Sequence, residues 1–206
     1  MTSPWRSAAT RSRRRTSGRG SRIPTSSRRS RVSCCSSGTP MHYWLDPENG
    51  RRIAKLFLAK FSELDQKNAA VYAANEQAFE AKLGAAEAAW QAQLATIKGK
   101  PVVAWHTSWN YFAEYTGMRI VAYMEPKPGV PPSPSHLLQV VQAVKASGAK
   151  VIIMEPFYDR KVADLVARQT GATVLILPPS VGGVPGITSY LQLMQHDVTE
   201  LSTRVK

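Results

Sequence analysis

The chain has 206 residues, with 27 lysines and arginines against 14 aspartates and glutamates. Its net charge of +13 is uneven: residues 1–40 hold ten arginines, eleven serines and no acidic residue, while the rest is close to balanced at +3. The high pI therefore belongs to the tail alone, which argues against a specific nucleic-acid-binding role for the part able to build a core. Adjacent Cys34 and Cys35 offer no disulfide framework, and no apolar run of about 18 residues offers a membrane span.

Segment 1–40 admits four readings. Runs such as Arg11-Ser12-Arg13-Arg14-Arg15 can bind phosphates non-specifically by displacing counterions. An acid-free, Arg- and Ser-rich start also resembles an organellar transit peptide. The third reading is a disordered arm that buries too little surface to offset its chain entropy, and the fourth is out-of-frame translation of a GC-rich gene start.

From Asp46 onward the chain turns orderly. Asp46-Pro47-Glu48 has the composition of a helix start, with a capping acceptor, a proline in the first turn and an acid at the positive end of the dipole. Ile53, Leu56, Phe57, Phe61 and Leu64 continue at helical spacing. After a break at 65–68, the alanine-rich segment 68–98 carries Tyr72, Phe79, Leu83, Trp90, Leu94 and Ile97 along one stripe, and at about 1.5 Å per residue it spans roughly 45 Å. Gly99-Lys100-Pro101 closes it.

Short apolar strands then alternate with helices. Val102-Val103-Ala104-Trp105 reads as a strand, 109–115 as a helix closed by Gly117, and 119–124 as a second strand. A proline-rich loop leads through Ser135, as cap, into a helix ending near Gly148. Val151-Ile152-Ile153-Met154 is a third strand, 161–170 a helix closed by Gly171, and 173–177 a fourth strand. The glycine-rich loop 180–186 precedes a last helix from about Thr188. Such alternation predicts an α/β fold, a parallel sheet with helices on both faces.

In open parallel sheets ligands gather at the carboxyl ends of the strands. His106, Glu125 and Glu155 follow the first three strands, and Pro178-Pro179-Ser180 the fourth. Each has a plainer role available: His106 as a hydrogen-bonded structural residue, Glu125 as a solvated side chain, Glu155 as a cap for the next helix. Ser180-Val181-Gly182-Gly183 could cradle an anion, though it lacks the lysine of a P-loop. His136 and His196 read as solvated. His42 and His106 stand 64 residues apart with no local metal-binding spacing, and no nucleophile elbow is present.

The segment from His42 to about residue 200 resembles the C-terminal half of the zinc- or manganese-binding solute-binding proteins of ABC metal importers. The likeness rests on the His-x-Trp-Leu-Asp-Pro motif at 42–47, the long helix, His106-Thr107-Ser108-Trp109-Asn110-Tyr111-Phe112, the Glu155-Pro156 strand ending and Tyr190-Leu191 after the glycine loop. It implies two α/β lobes joined by a rigid helix, with the metal held between them. It also implies a periplasmic or lipoprotein location, a membrane permease as partner and no enzymatic chemistry.

Within that resemblance His42 and His106 match metal ligands, a donor type that suits Zn²⁺ and accepts Mn²⁺. The family commonly adds an aspartate after the last strand, where this chain has Pro179-Ser180-Val181-Gly182; Glu155 is the expected substitute. The implied organisation is tail 1–40, a first-lobe remnant 41–67, the linker helix 68–98 and a metal-binding lobe 99–206. The first lobe would precede His42, so the chain is expected to be truncated and to bind metal weakly. Part of the helix stripe, Trp90 in particular, should then be exposed and favour self-association. The alternative is a soluble α/β enzyme or nucleotide-binding module with a genuine basic arm.

Overall fold

The computed structural model describes residues 42–205; the arginine-rich tail, with all four of its readings, lies outside the described residues. Asp46 caps the first helix, α1 (Pro47–Leu64), by accepting the Glu48 N–H at 2.9 Å, with Pro47 in the first turn. A 3₁₀ turn at Gln66–Asn68 separates it from α2 (Ala69–Ile97), whose 29 residues run roughly 44 Å. The chain reverses through Gly99, whose φ of +77° suits glycine, into Pro101.

Four strands follow, β1 (Pro101–Ala104), β2 (Arg119–Tyr123), β3 (Val151–Met154) and β4 (Thr173–Ile176). They form a wholly parallel sheet in the order β2-β1-β3-β4. Between them lie α3 (Asn110–Thr116), α4 (Pro134–Ser147) and α5 (Lys161–Thr170), and α6 (Tyr190–Arg204) closes the fold.

Two helix starts differ from expectation. Ser133, not Ser135, caps α4, accepting the His136 N–H at 3.2 Å, because Pro134 takes the first helical position that lacks a useful N–H. Thr188 spends both its N–H and its hydroxyl on Gln192 Oε1, at 2.9 Å each, so α6 begins two residues later under a Ser189 cap.

Strand side chains alternate between two cores. Val102, Ala104, Val151 and Ile153 pack with α2, α3 and α6, while Val103, Ile152 and Met154 pack with α4 and α5. The sheet is covered on both faces, which is why its strands read as continuous apolar runs.

Trp90 departs from the expected exposure. It is 1% exposed, and its indole N–H donates to Gln195 Oε1 at 2.7 Å, because α6 lies along the stripe of α2. Helix α1, by contrast, exposes Leu56, Phe57, Phe61 and Leu64. Helix α1 is tied down on its other side by Arg51, whose guanidinium donates to Glu80 at 2.8 Å and to Glu87.

Asp197 lies fully buried on α6; its Oδ1 meets His196 Nδ1 at 3.1 Å and its Oδ2 has no hydrogen-bond partner among the described residues. Burial pushes this carboxyl up to about 7. The unfolded chain releases that proton near pH 4, so stability is fully present below that value and is lost as pH rises through about 7. His196, raised by its bond to Asp197, titrates with it as one coupled pair. Thermal unfolding followed by circular dichroism should therefore show a midpoint several degrees lower at pH 8 than at pH 5. Asp197→Asn should flatten most of that slope, and an unchanged slope would assign it to other groups.

Candidate metal centre

Strand pairing continues past the strand ends and fixes what emerges there. The Trp105 N–H donates to the Ile153 carbonyl at 2.7 Å, the Glu125 N–H to the Trp105 carbonyl at 2.9 Å, and the Leu177 N–H to the Met154 carbonyl at 2.9 Å. His106, Glu125 and Glu155 consequently leave one edge of the sheet side by side. Helix α3 leaves β1 for one face and α5 leaves β3 for the other. His106 and Glu155 therefore flank the switch point between neighbouring strands, where open α/β sheets form a crevice.

His106 is held firmly. Its Nδ1 is hydrogen-bonded to Glu125 Oε2, and its ring lies 6.4 Å from that of Tyr158, which also packs on Trp105 at 5.3 Å. Nε2 makes no hydrogen bond among the described residues, and 18% of the side chain is exposed. Glu125 is buried rather than solvated as expected, because its other oxygen accepts the Gly129 N–H at 2.7 Å.

Glu155 is fully buried, and neither carboxylate oxygen has a hydrogen-bond partner among the described residues. It does not cap α5, which starts at Lys161 without any side-chain cap. Burial raises its pKa, and the neighbouring Ser108 hydroxyl, the charge of His106 and the Trp109 indole N–H offset this only in part. Ser108 Oγ and Trp109 Nε1 are themselves without formed hydrogen bonds among the described residues. A buried pocket with four polar atoms unspent is unusual in a folded core.

His42 has a left-handed backbone, φ 71° and ψ 32°, and is the non-glycine residue in that region among those described. Its ring packs edge-on to Trp44 at 5.1 Å. Trp44 anchors the turn: its indole N–H donates to the Pro179 carbonyl at 2.9 Å, and its own carbonyl accepts the Tyr190 hydroxyl at 2.7 Å. The His42 turn is thereby seated on the loop after β4. At the position where the resemblance leads one to look for an aspartate, a backbone carbonyl serves as this anchor.

Two other candidates resolve differently. The Gly182 and Gly183 N–H groups are spent within their own loop, on the Ile187 and Ser180 carbonyls at 2.9 and 3.1 Å, so the expected anion cradle is not formed. His136 is not merely solvated, since its Nε2 donates to the Tyr123 carbonyl at 2.9 Å. Among the described residues, no three His, Cys, Asp or Glu side chains are grouped closely enough to hold a metal ion together. His106 and Glu155 follow neighbouring strands at the same edge of the sheet, and His42 stands on the turn anchored beside β4.

The architecture is α/β, a parallel sheet with helices on both faces, and sequence comparison identifies the family. Residues 12–204 match the model of the family described as "Zinc-uptake complex component A periplasmic", ZnuA, and the chain belongs to that family. It is 30% identical over 139 residues to the high-affinity zinc uptake system protein ZnuA of Brucella abortus, covering 68% of this chain but 42% of that one. Among solved structures it is similar to the laminin-binding protein Lbp of Streptococcus pyogenes, with a TM-score of 0.71 and 25% identity over 81% of this chain and 66% of the other. The Zn(II)-bound AdcAII mutant variant of Streptococcus pneumoniae gives a TM-score of 0.68 and 28% identity, over 80% and 60%. The chain thus spans about half the length of the curated relatives it matches.

Tyr190 leaves room for Gly50 alone. A Cβ built there would lie 2.7 Å from the Tyr190 hydroxyl oxygen and 3.0 Å from Cζ, and that hydroxyl is already committed to Trp44. Overpacking of this kind costs about 1–3 kcal/mol, against about 1 kcal/mol gained by replacing a helical glycine. Gly50→Ala should therefore lower stability in urea unfolding by about 1 kcal/mol, the difference between those two effects. Removing the hydroxyl with Tyr190→Phe should make the same substitution less costly, since the two sites touch.

Proposed function

We propose that this chain acts in divalent metal import, taking up Zn²⁺ or Mn²⁺ as cargo and passing it to the membrane permease of an ABC transporter, at the periplasmic side or cell surface. The observation that carries this reading is the buried, unbonded carboxylate of Glu155 beside His106 at the switch point. A carboxyl kept out of water with its burial only partly offset is costly unless something arrives to use it, and a cation does so by accepting lone pairs from its oxygens. His106 Nε2 and Glu155 supply one nitrogen and one oxygen ligand, a mixed set suited to zinc and tolerant of manganese. His42, on its anchored turn, is a third donor at the same end of the sheet. No covalent step is involved; capture and release are the whole of the chemistry.

The competing reading, an enzyme or nucleotide-binding module, loses one support, since the Gly182 and Gly183 amides are engaged within their own loop. A structural zinc site uses four ligands, and no three candidate side chains are preassembled among the described residues. Calorimetric titration of the chain with zinc chloride should accordingly give weak binding, with a dissociation constant on the order of micromolar or above. His106→Ala should weaken it at least about tenfold, equivalent to about 1.4 kcal/mol, and Glu155→Gln should weaken it as well. Zinc binding indifferent to His106→Ala would place the ion elsewhere and end this reading.

A further inference from the structure

We propose that Glu125 is a positioning residue that sets the tautomer and aim of His106, so that Nε2 presents its lone pair to the incoming cation. This rests on the reading of His106 as a metal donor, and concerns a residue that reading does not use.

A carboxylate can only accept, so Glu125 Oε2 against His106 Nδ1 requires the ring proton to sit on Nδ1. The lone pair is then on Nε2, the nitrogen without a hydrogen bond among the described residues. The brace is itself braced. Glu125 Oε1 receives the Gly129 N–H at 2.7 Å, and the Glu125 backbone N–H is locked to the Trp105 carbonyl at 2.9 Å. Gly129 reaches that position with φ +77°, and Lys127 and Val130 close the loop by a backbone bridge. With both oxygens occupied and the side chain buried, Glu125 is built to orient and not to coordinate. A carboxylate behind a metal-binding imidazole raises its basicity and fixes the ring, and losing such a partner typically costs about 10- to 100-fold in metal affinity.

The test uses the full chain labelled with ¹⁵N, without metal, at about pH 8.5, two units above an ordinary imidazole midpoint. Long-range ¹H–¹⁵N correlation should show His106 protonated on Nδ1 and bare on Nε2. In Glu125→Gln the Gly129 N–H retains the amide oxygen, turning the amide NH₂ toward Nδ1, and the proton should move to Nε2 while circular dichroism stays unchanged. Titration with zinc chloride should then be weakened about 10- to 100-fold in that variant. Wild-type His106 found as the Nε2–H tautomer overturns the proposal whatever zinc does. The stated tautomers with zinc affinity lowered by His106→Ala but not by Glu125→Gln overturn the positioning role and leave the metal reading standing. Zinc affinity untouched by His106→Ala removes the metal reading itself.

Discussion

The pairing of β1 with β3 is the constraint on which the rest depends. Parallel strands place all their carboxyl ends at one edge, and the bond from the Trp105 N–H to the Ile153 carbonyl holds the ends of these two strands level. Because α3 and α5 depart to opposite faces, the space between the two ends is not filled by a connecting helix. His106 is delivered to that space from one strand and Glu155 from the next. The two helical layers keep both faces of the four-stranded sheet dry and leave the strand ends to meet at one edge.

That opening has a thermodynamic consequence. Asp46, Glu155 and Asp197 are all carboxyls whose ionisation is disfavoured by burial. Asp46 is compensated by its role as a cap, receiving the Glu48 N–H. Glu155 is compensated only in part, by the neighbouring Ser108 hydroxyl, His106 and the Trp109 indole N–H, and its presence runs against the stability of the apolar core around it. Functional sites are where such local conflicts are expected. The surrounding scaffold offsets the conflict with interactions of long sequence range: Trp90 to Gln195, Trp44 to Pro179, Tyr190 to Trp44, and Arg51 to Glu80 and Glu87.

Much of the fold was legible because local physics determined it. The Asp46-Pro47 start of α1, the length of α2 and the strand-helix alternation follow from capping, periodicity and apolar runs, and the observed elements agree to within a residue or two. The shifts at Ser133 and Ser189 arose where two hydroxyl residues competed for one cap. The exposure of Trp90 was misjudged for a different reason: a stripe on one helix shows that it is covered, but not by what. Helix α6, more than a hundred residues away in sequence, supplies the cover.

The sequence by itself determined which polar residues stand at the ends of which strands, and so which are candidates for the site, since composition and period act over a few neighbours. Family membership was legible at the same level, from ordered motifs between His42 and Tyr190, and comparison bore it out. Only the tertiary structure decided how those residues are used. Glu125 reads as a solvated acid until strand pairing sets it against His106 and the Gly129 amide closes on its other oxygen. The glycine loop reads as an anion cradle until its amides turn inward. Hydrogen-bond partners far apart in the chain, and the burial that makes a carboxyl such as Glu155 costly, are properties of the packed molecule that no local pattern records.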